Sequence, residues 1–461
     1  MSNAPLPLPS DQEARPRGSR EYNFDGLVGP THNYSGLGGG NLASMKNNAQ
    51  VSHPKTAALQ GLEKMRRVAE LGIPQGILPP QRRPHLGYLR SNGYGDTATE
   101  ILTNVAKAGD PGTKDLNTAT SASYMWTANA ATVSPSPDTA DRRCHFTIAN
   151  LASNRHRALE SFERDRLFRY AFGDETFFVV HEPLPATMPD EGAANHTRLC
   201  RAMEQAGIEI FCWGRSLDSS IMVGETEKFM PRQLREASVR LAAQHELNAE
   251  DHCLFPQQSP GAIDGGVFHN DVISVGHENV LLIHERAWVD QRRQLDRLRE
   301  MAAATVGELY VIELSDADLP LADAVSSYLF NSQLVTRENG EIVLIHPGEC
   351  DEVPTARRAI DRIIAGDNPV TGALSADVNQ SMKGGGGPAC LRLRVALSDA
   401  ERRAVRGNLF WSEQLHETLV DWVNRHYRDH LSQSDLAEVR LHEESNAAID
   451  ELGQILEIPV I

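Results

Sequence analysis

A thiol, an imidazole and several carboxylates stand on glycine-rich stretches of this chain, a set that could run nucleophilic catalysis by an activated thiolate. Cys390 lies in Gly384-Gly385-Gly386-Gly387-Pro388-Ala389-Cys390, and Leu391, Leu393 and Val395 then alternate with Arg392, Arg394 and Ala396, the period of a half-buried strand. A side-chain-free loop entering a sheet can present a thiol to a small ligand. By itself the run reads rather as a flexible loop before a strand, with Cys390 a small buried apolar residue. His269 and Asp271, in Val267-Phe268-His269-Asn270-Asp271, share a face if 267–275 is a strand, because side chains alternate there. An imidazole beside a carboxylate suits acid–base work, and equally suits a satisfied pair at a strand end. Asp190-Glu191-Gly192-Ala193-Ala194-Asn195-His196 sets carboxylates beside residues too small to cover them, and alone it reads as an exposed turn.

Weaker signals accompany these. Asn129 is the one strong amide in the small-residue run from Ser121 to Thr132. His156 and Arg157, in Asn154-Arg155-His156-Arg157, and Arg232, in Pro231-Arg232-Gln233-Leu234-Arg235, suit carboxylate recognition if they face a pocket and are solvated cations if they do not. Ser35-Gly36-Leu37-Gly38-Gly39-Gly40-Asn41-Leu42-Ala43-Ser44 has the wrong glycine spacing for a dinucleotide fingerprint, so a backbone clamp on a polar ligand, or a plain surface loop, is the alternative. There is no HExxH, Walker or GxSxG motif, and His269, Asp271 and His277 are not diagnostically spaced for a metal, so no metal or cofactor is expected. Carboxylates near a thiol raise its pKa, which hinders acyl transfer but suits a cationic substrate. Guanidinium, planar and able to bond two carboxylates at once, fits that demand.

The elements that must position these groups alternate from end to end. Helices are expected over Pro54–Leu71 and near 231–246, 285–303, 317–334 and 409–427. Strands are expected over His145–Leu151, Thr176–His181, Ile208–Trp213, Val267–Val275, Val280–His284, Leu309–Leu314, Glu341–His346 and Leu391–Leu397, with a turn at Asp25-Gly26 after a further short strand. The mixture without a clean boundary favours one α/β body over separate modules, and no close internal repeat is evident. Residues 1–21, rich in Pro, Ser and charge, read as a disordered leader ahead of a single domain over 22–461. A net charge of −17 argues against nucleic acid and anionic membrane partners, no apolar run approaches membrane-spanning length, and six cysteines without close pairing suit a reduced, cytoplasmic protein.

Phe24-Asp25-Gly26-Leu27-Val28-Gly29, Asp190–His196, Val267–Asp271 and Gly385-Gly386-Gly387-Pro388-Ala389-Cys390-Leu391-Arg392-Leu393-Arg394 resemble the N-succinylarginine dihydrolase family, a similarity running from about Tyr22 to near the C-terminus. The resemblance implies a pentein-type α/β propeller, five ββαβ-like units around a pseudo-fivefold axis with the site in the central channel. It implies a homodimer and the hydrolysis of N2-succinyl-L-arginine to N2-succinyl-L-ornithine, two ammonia and carbon dioxide. Cys390 would be the nucleophile, His269 the acid–base and Glu191 the third catalytic member. Asp271 would hold the guanidinium, while Asn129, His156, Arg157, Arg232 and the segment Ser35–Ser44 would contact the rest of the substrate. The family pattern implies an asparagine contact where this chain has Gly384. A deiminase-like or amidinotransferase activity, and a silent binding protein on the same fold, are the rival expectations.

Overall fold

A computed structural model describes residues 18–459, whose strands fall into five sheets of three. In chain order the strands are β1 (Ser19–Gly26), β2 (Gln75–Leu78), β3 (Ala131–Ser134), β4 (Cys144–Ile148), β5 (Phe178–His181), β6 (His196–Leu199), β7 (Ile208–Phe211) and β8 (Cys253–Leu254). They continue as β9 (Ser274–His277), β10 (Val280–His284), β11 (Tyr310–Leu314), β12 (Gln333–Thr336), β13 (Ile342–Pro347), β14 (Val370–Ala376) and β15 (Arg392–Ser398). Each sheet has one pattern: the middle strand pairs antiparallel with one neighbour and parallel with the other. A parallel pair needs a crossover, and a helix supplies it every time: Pro54–Glu70, Ser161–Ala171, Arg235–Gln244, Gln291–Thr305 and Pro354–Ala365. Four units are contiguous in sequence, β3-β4-β5, β6-β7-β8, β9-β10-β11 and β12-β13-β14. The fifth is β15-β1-β2, in which Ser19 to Asp25 pair with Ser398 to Arg392 and so close the ring. This is the five-unit pentein architecture expected from the resemblance.

The crossover helices bury one face each. In Pro54–Glu70, Ala57, Ala58, Leu62, Met65 and Val68 point inward, and Pro54 occupies the first turn, where its missing N–H costs nothing. The central packing joins the β15-β1-β2 unit to the β3-β4-β5 unit through Phe24, Phe146, Phe168, Phe172 and Phe178, all essentially buried, with Phe146 and Phe172 stacked at 4.3 Å. At roughly 1.5–3 kcal/mol per buried large apolar side chain, this cluster fixes the scaffold from which the loops project.

The structure corrects several expectations. The strand placed at Val267–Val275 begins only at Ser274, so His269 and Asp271 lie on a loop and a 3-10 turn (Asn270–Val272), not on one strand face. The apolar residues Val267, Val272 and Ile273 are buried by tertiary packing and imitate a strand pattern. The helix expected near 317–334 stops at Ser327, because Tyr328 takes a left-handed conformation (φ 54°) and a 3-10 turn and β12 follow. Asp25 and Gly26 end β1 rather than forming a turn. The helices expected near 231–246 and 285–303 run over Arg235–Gln244 and Gln291–Thr305. Ser19, Arg20 and Glu21, placed in the leader, belong to β1, and the rest of that leader, 1–17, lies outside the described residues.

Candidate active site

The first strand of each unit is preceded by a tight turn, and the five turns meet at the ring axis. Counting back from the strand starts gives equivalent positions. Five residues before β3, β6, β9, β12 and β15 stand Trp126, Glu191, His269, Tyr328 and Gly387; two residues before them stand Asn129, Ala194, Val272, Asn331 and Cys390. Glu191 and His269 are thus the same position in neighbouring units, and Cys390 is the counterpart of Asn129 and Asn331. The site draws on every unit because each contributes one such turn.

His269 Nε2 lies 2.8 Å from Glu191 Oε2, and both side chains are buried. Glu191, expected from its local sequence to be exposed, has no exposed surface: the Gln233 amide oxygen accepts from its backbone N–H (2.7 Å), Asn129 Nδ2 donates to its carbonyl (2.7 Å), and Arg232 Nη1 is 4.0 Å from its carboxylate. Burial opposes the carboxylate charge, but the hydrogen bond with His269 and the nearby cations hold Glu191 below its ordinary pKa. Burial also lowers His269, to about 4, so its ring is neutral at pH 7 in the free protein despite Glu191.

Cys390 lies across from Asp271, its Sγ 3.5 Å from Asp271 Oδ2. Asn331 clamps the thiol: its Nδ2 donates to Sγ (3.1 Å) and its Oδ1 accepts from the Cys390 N–H (3.1 Å). Burial and the Asp271 charge push the thiol well above its ordinary pKa, and burial pushes Asp271 up to about 7. Asp271 Oδ1 and Glu191 Oε1 are buried and have no hydrogen-bond partner. The site therefore holds two carboxylates with spare acceptors and a thiol that only added positive charge would ionise.

A cavity in front of Cys390 is lined by the turn residues Trp126 and Asn129, by Arg157 and Arg232, and by Ser35, Leu37, Gly38, Asn41 and Ser44 of the glycine-rich segment. Gly36, Gly40, Leu42 and Ala43 do not line it, Leu42 being exposed, and the Gly39 carbonyl accepts from Arg232 Nη2 (2.6 Å). His156 lines the cavity as a neutral ring, its pKa lowered by burial to about 3. The two arginines differ. Arg157 is spent on Glu160, Asn129 and the Ser123 carbonyl. Arg232 rests over the Phe268 ring at 4.8 Å and has the freer guanidinium. The glycine run permits close approach: a Cβ on Gly385 (φ 104°) or Gly386 would come within 2.2 Å of Asn41 Nδ2 or Trp126 Nε1. At Gly384 a Cβ would meet the Trp126 ring at 3.1 Å, so a side chain there requires the indole to yield slightly.

Sequence reasoning missed Asn331 and Tyr328, which it placed inside a helix. Tyr328 donates from Oη to the Gly385 carbonyl (3.2 Å) and to Asn41 Oδ1 (3.3 Å), fixing the segment that carries the glycines. Among the described residues no group of three or more His, Cys, Asp or Glu is placed to hold a metal ion, and no helix is long and apolar enough to cross a membrane.

The succinylarginine dihydrolase family matches residues 18–461 of the chain. An N-succinylarginine dihydrolase of Burkholderia orbicola is 49% identical over 442 residues, covering 95% of this chain and 98% of the relative. One from Marinobacter nauticus is 49% identical over 440 residues, covering 95% and 96%. Among solved structures, the product-bound N-terminal domain of a cyanobacterial arginine dihydrolase is 14% identical with a TM-score of 0.49, over 82% of this chain and 97% of that one.

Proposed function

The chain belongs to the succinylarginine dihydrolase family, and from that premise we propose that it hydrolyses N2-succinyl-L-arginine to N2-succinyl-L-ornithine, two ammonia and carbon dioxide in arginine catabolism, as a cytoplasmic homodimer with one catalytic domain. The observation that carries the reading is the pair of buried carboxylate oxygens left without partners, Asp271 Oδ1, on the side chain 3.5 Å from Cys390 Sγ, and Glu191 Oε1, on the side chain bonded to His269. A guanidinium supplies donors to both, and its charge offsets the one that keeps Cys390 protonated. Arg232, with the freer guanidinium, faces the acid end of the substrate.

In this mechanism the thiol proton passes to His269, giving a thiolate and an imidazolium stabilised by Glu191. The thiolate forms a bond to the guanidinium carbon, His269 returns its proton to one nitrogen, and that C–N bond breaks to release ammonia, leaving a charged amidino-cysteine. Water, deprotonated by His269, adds to the same carbon. The C–S bond then breaks, the thiolate leaves, and a ureido group remains. A second round expels the second ammonia, and hydrolysis of the carbamoyl-cysteine yields a carbamate that breaks down to carbon dioxide and the ornithine amine. Asn331 steadies Sγ each time it leaves.

Counting ammonia per succinylarginine consumed tests the reading. Two is expected; one means a deiminase, and none means a transferase or a silent binding protein. Equal turnover of free arginine would overturn the role given to Arg232.

A further inference from the structure

A second cavity is walled by first strands of several units, with residues of β6, β9 and β15 in its lining, and reaches the turns that carry Asp271 and Cys390. Its inner end is formed by Ala128, Ala193, Asp271 and Ala389, the residues three before the starts of β3, β6, β9 and β15. Two of them have a chain neighbour on the other side: Asn129 and Cys390 line the front cavity, whereas Ala128 and Ala389 line this axial one. At these two places adjacent residues of one turn face the two cavities, and the axial side there is a methyl group. Asp271 lines the axial cavity, with Oδ2 toward Cys390 Sγ and a buried Oδ1 that has no partner. Outward, alternate residues of β15 (Arg392, Arg394 and Ala396) form one wall, as strand periodicity requires. Exposure rises along it, from 3% for the Arg392 side chain to 21% for Arg394, so the cavity widens toward solvent.

The proposed reaction, on which this inference rests, gives such a cavity a use. The first hydrolysis exchanges one guanidinium C–N bond for C–O and releases ammonia; the second cleaves the ureido group and releases ammonia and carbon dioxide. Water must therefore reach the Cys390 adduct twice per substrate. During both rounds the substrate fills the front cavity, with its acid end at Arg232 and its reacting carbon at Cys390. If the front were the sole route, exchanging ammonia for water between rounds would need that cavity to open, and the neutral ureido intermediate, no longer paired as a cation with Asp271, would escape. We propose that the axial cavity is a service channel that admits water and releases ammonia past Asp271 while the ureido intermediate stays bound in front. The channel is thus what makes this active site a two-round catalyst.

Ala396 stands six residues beyond Cys390, about 20 Å along an extended strand, and is half-buried on the channel wall. Ala396→Leu and Ala396→Trp grade its obstruction, with Ala396→Ser as control. Ammonia per succinylarginine consumed is measured together with free ureido product by mass spectrometry, and one-to-one alkylation of Cys390 certifies folded protein. The expected ratio is two for wild type and the Ser variant, falling toward one from Leu to Trp as ureido product accumulates. If the Trp variant does not fold, the Leu variant decides. A ratio of two in the folded bulky variants, with no free ureido product, would overturn the channel alone. A wild-type ratio other than two would overturn the reaction and the channel with it.

Discussion

Asp271 and Glu21 are carboxylates at the inner and outer parts of the same axial cavity, and their surroundings set them far apart. Burial pushes both upward. Around Glu21, Arg394, His277 and Arg392 outweigh it and bring the group to about 2, whereas Asp271 rises to about 7. Glu21 sits on β1, opposite β15, where the ladder register delivers Arg392 and Arg394 to within 3.9 Å. Asp271 sits on a 3-10 turn whose partners are a thiol and an amide. The strand position is electrostatically complete. The turn position is not: Asp271 Oδ1 has no partner, and in the proposed reaction a cationic substrate would complete it. Strands in this ring store stability, and the turns that feed them store reactivity.

Four substitutions test that contrast, the largest effect first. Cys390→Ala removes the nucleophile, and steady-state assays should show kcat falling by about 10^6-fold, to background. Asp271→Asn should lower kcat/KM by about 10^2- to 10^4-fold while raising the rate of Cys390 alkylation in the free enzyme, since the like charge that raises the thiol pKa is gone. Wild-type kcat/KM should rise with pH through about 7 as Asp271 ionises, and the variant should lack that limb. An alkylation rate that fell with turnover would show that Asp271 activates the thiol directly. Glu21→Gln should leave turnover per folded molecule nearly unchanged but cost on the order of 2–3 kcal/mol in denaturant titrations. The sign is that of a depressed carboxylate: the contribution is present above the ordinary glutamate range and is lost as pH falls toward about 2. Gly384→Asn should have the smallest effect, a change of a few fold in KM with shifted indole fluorescence, because Trp126 must yield a few tenths of an ångström.

What the sequence disclosed follows the same division. The alternation after Cys390 located β15 to within a residue, and Val280–His284 was read to the residue, because strands repeat in pairs whatever surrounds them. Turn residues carry no such period. Glu191 reads as exposed because Gln233, Arg232 and Asn129, which bury it, come from distant segments. Asn331 vanished into an apparent helix because no local rule announces a tyrosine at φ 54°. The fivefold repeat escaped notice for a related reason. Its equivalent positions hold Trp, Glu, His, Tyr and Gly, each specialised for a different task, so the geometry repeats and the letters do not. Motif resemblance singled out Cys390, His269, Glu191 and Asp271 as candidates, but the Asn331 clamp on the Cys390 thiol required the fold.

Pairing of β15 with β1 has a consequence for how the protein is made. The strand that follows Cys390 begins two residues after it, and its partner lies at the far end of the chain, Ser19 against Ser398. A growing chain can pair one edge of β1 with β2 early, but the other edge stays open until nearly every other unit has been synthesised. Contacts of such sequence separation form slowly. The Cys390 thiol, its amide clamp and the closed ring around them thus depend on a pairing between the two ends of the described chain, and a chain released early, short of Cys390, lacks the strand that closes the ring.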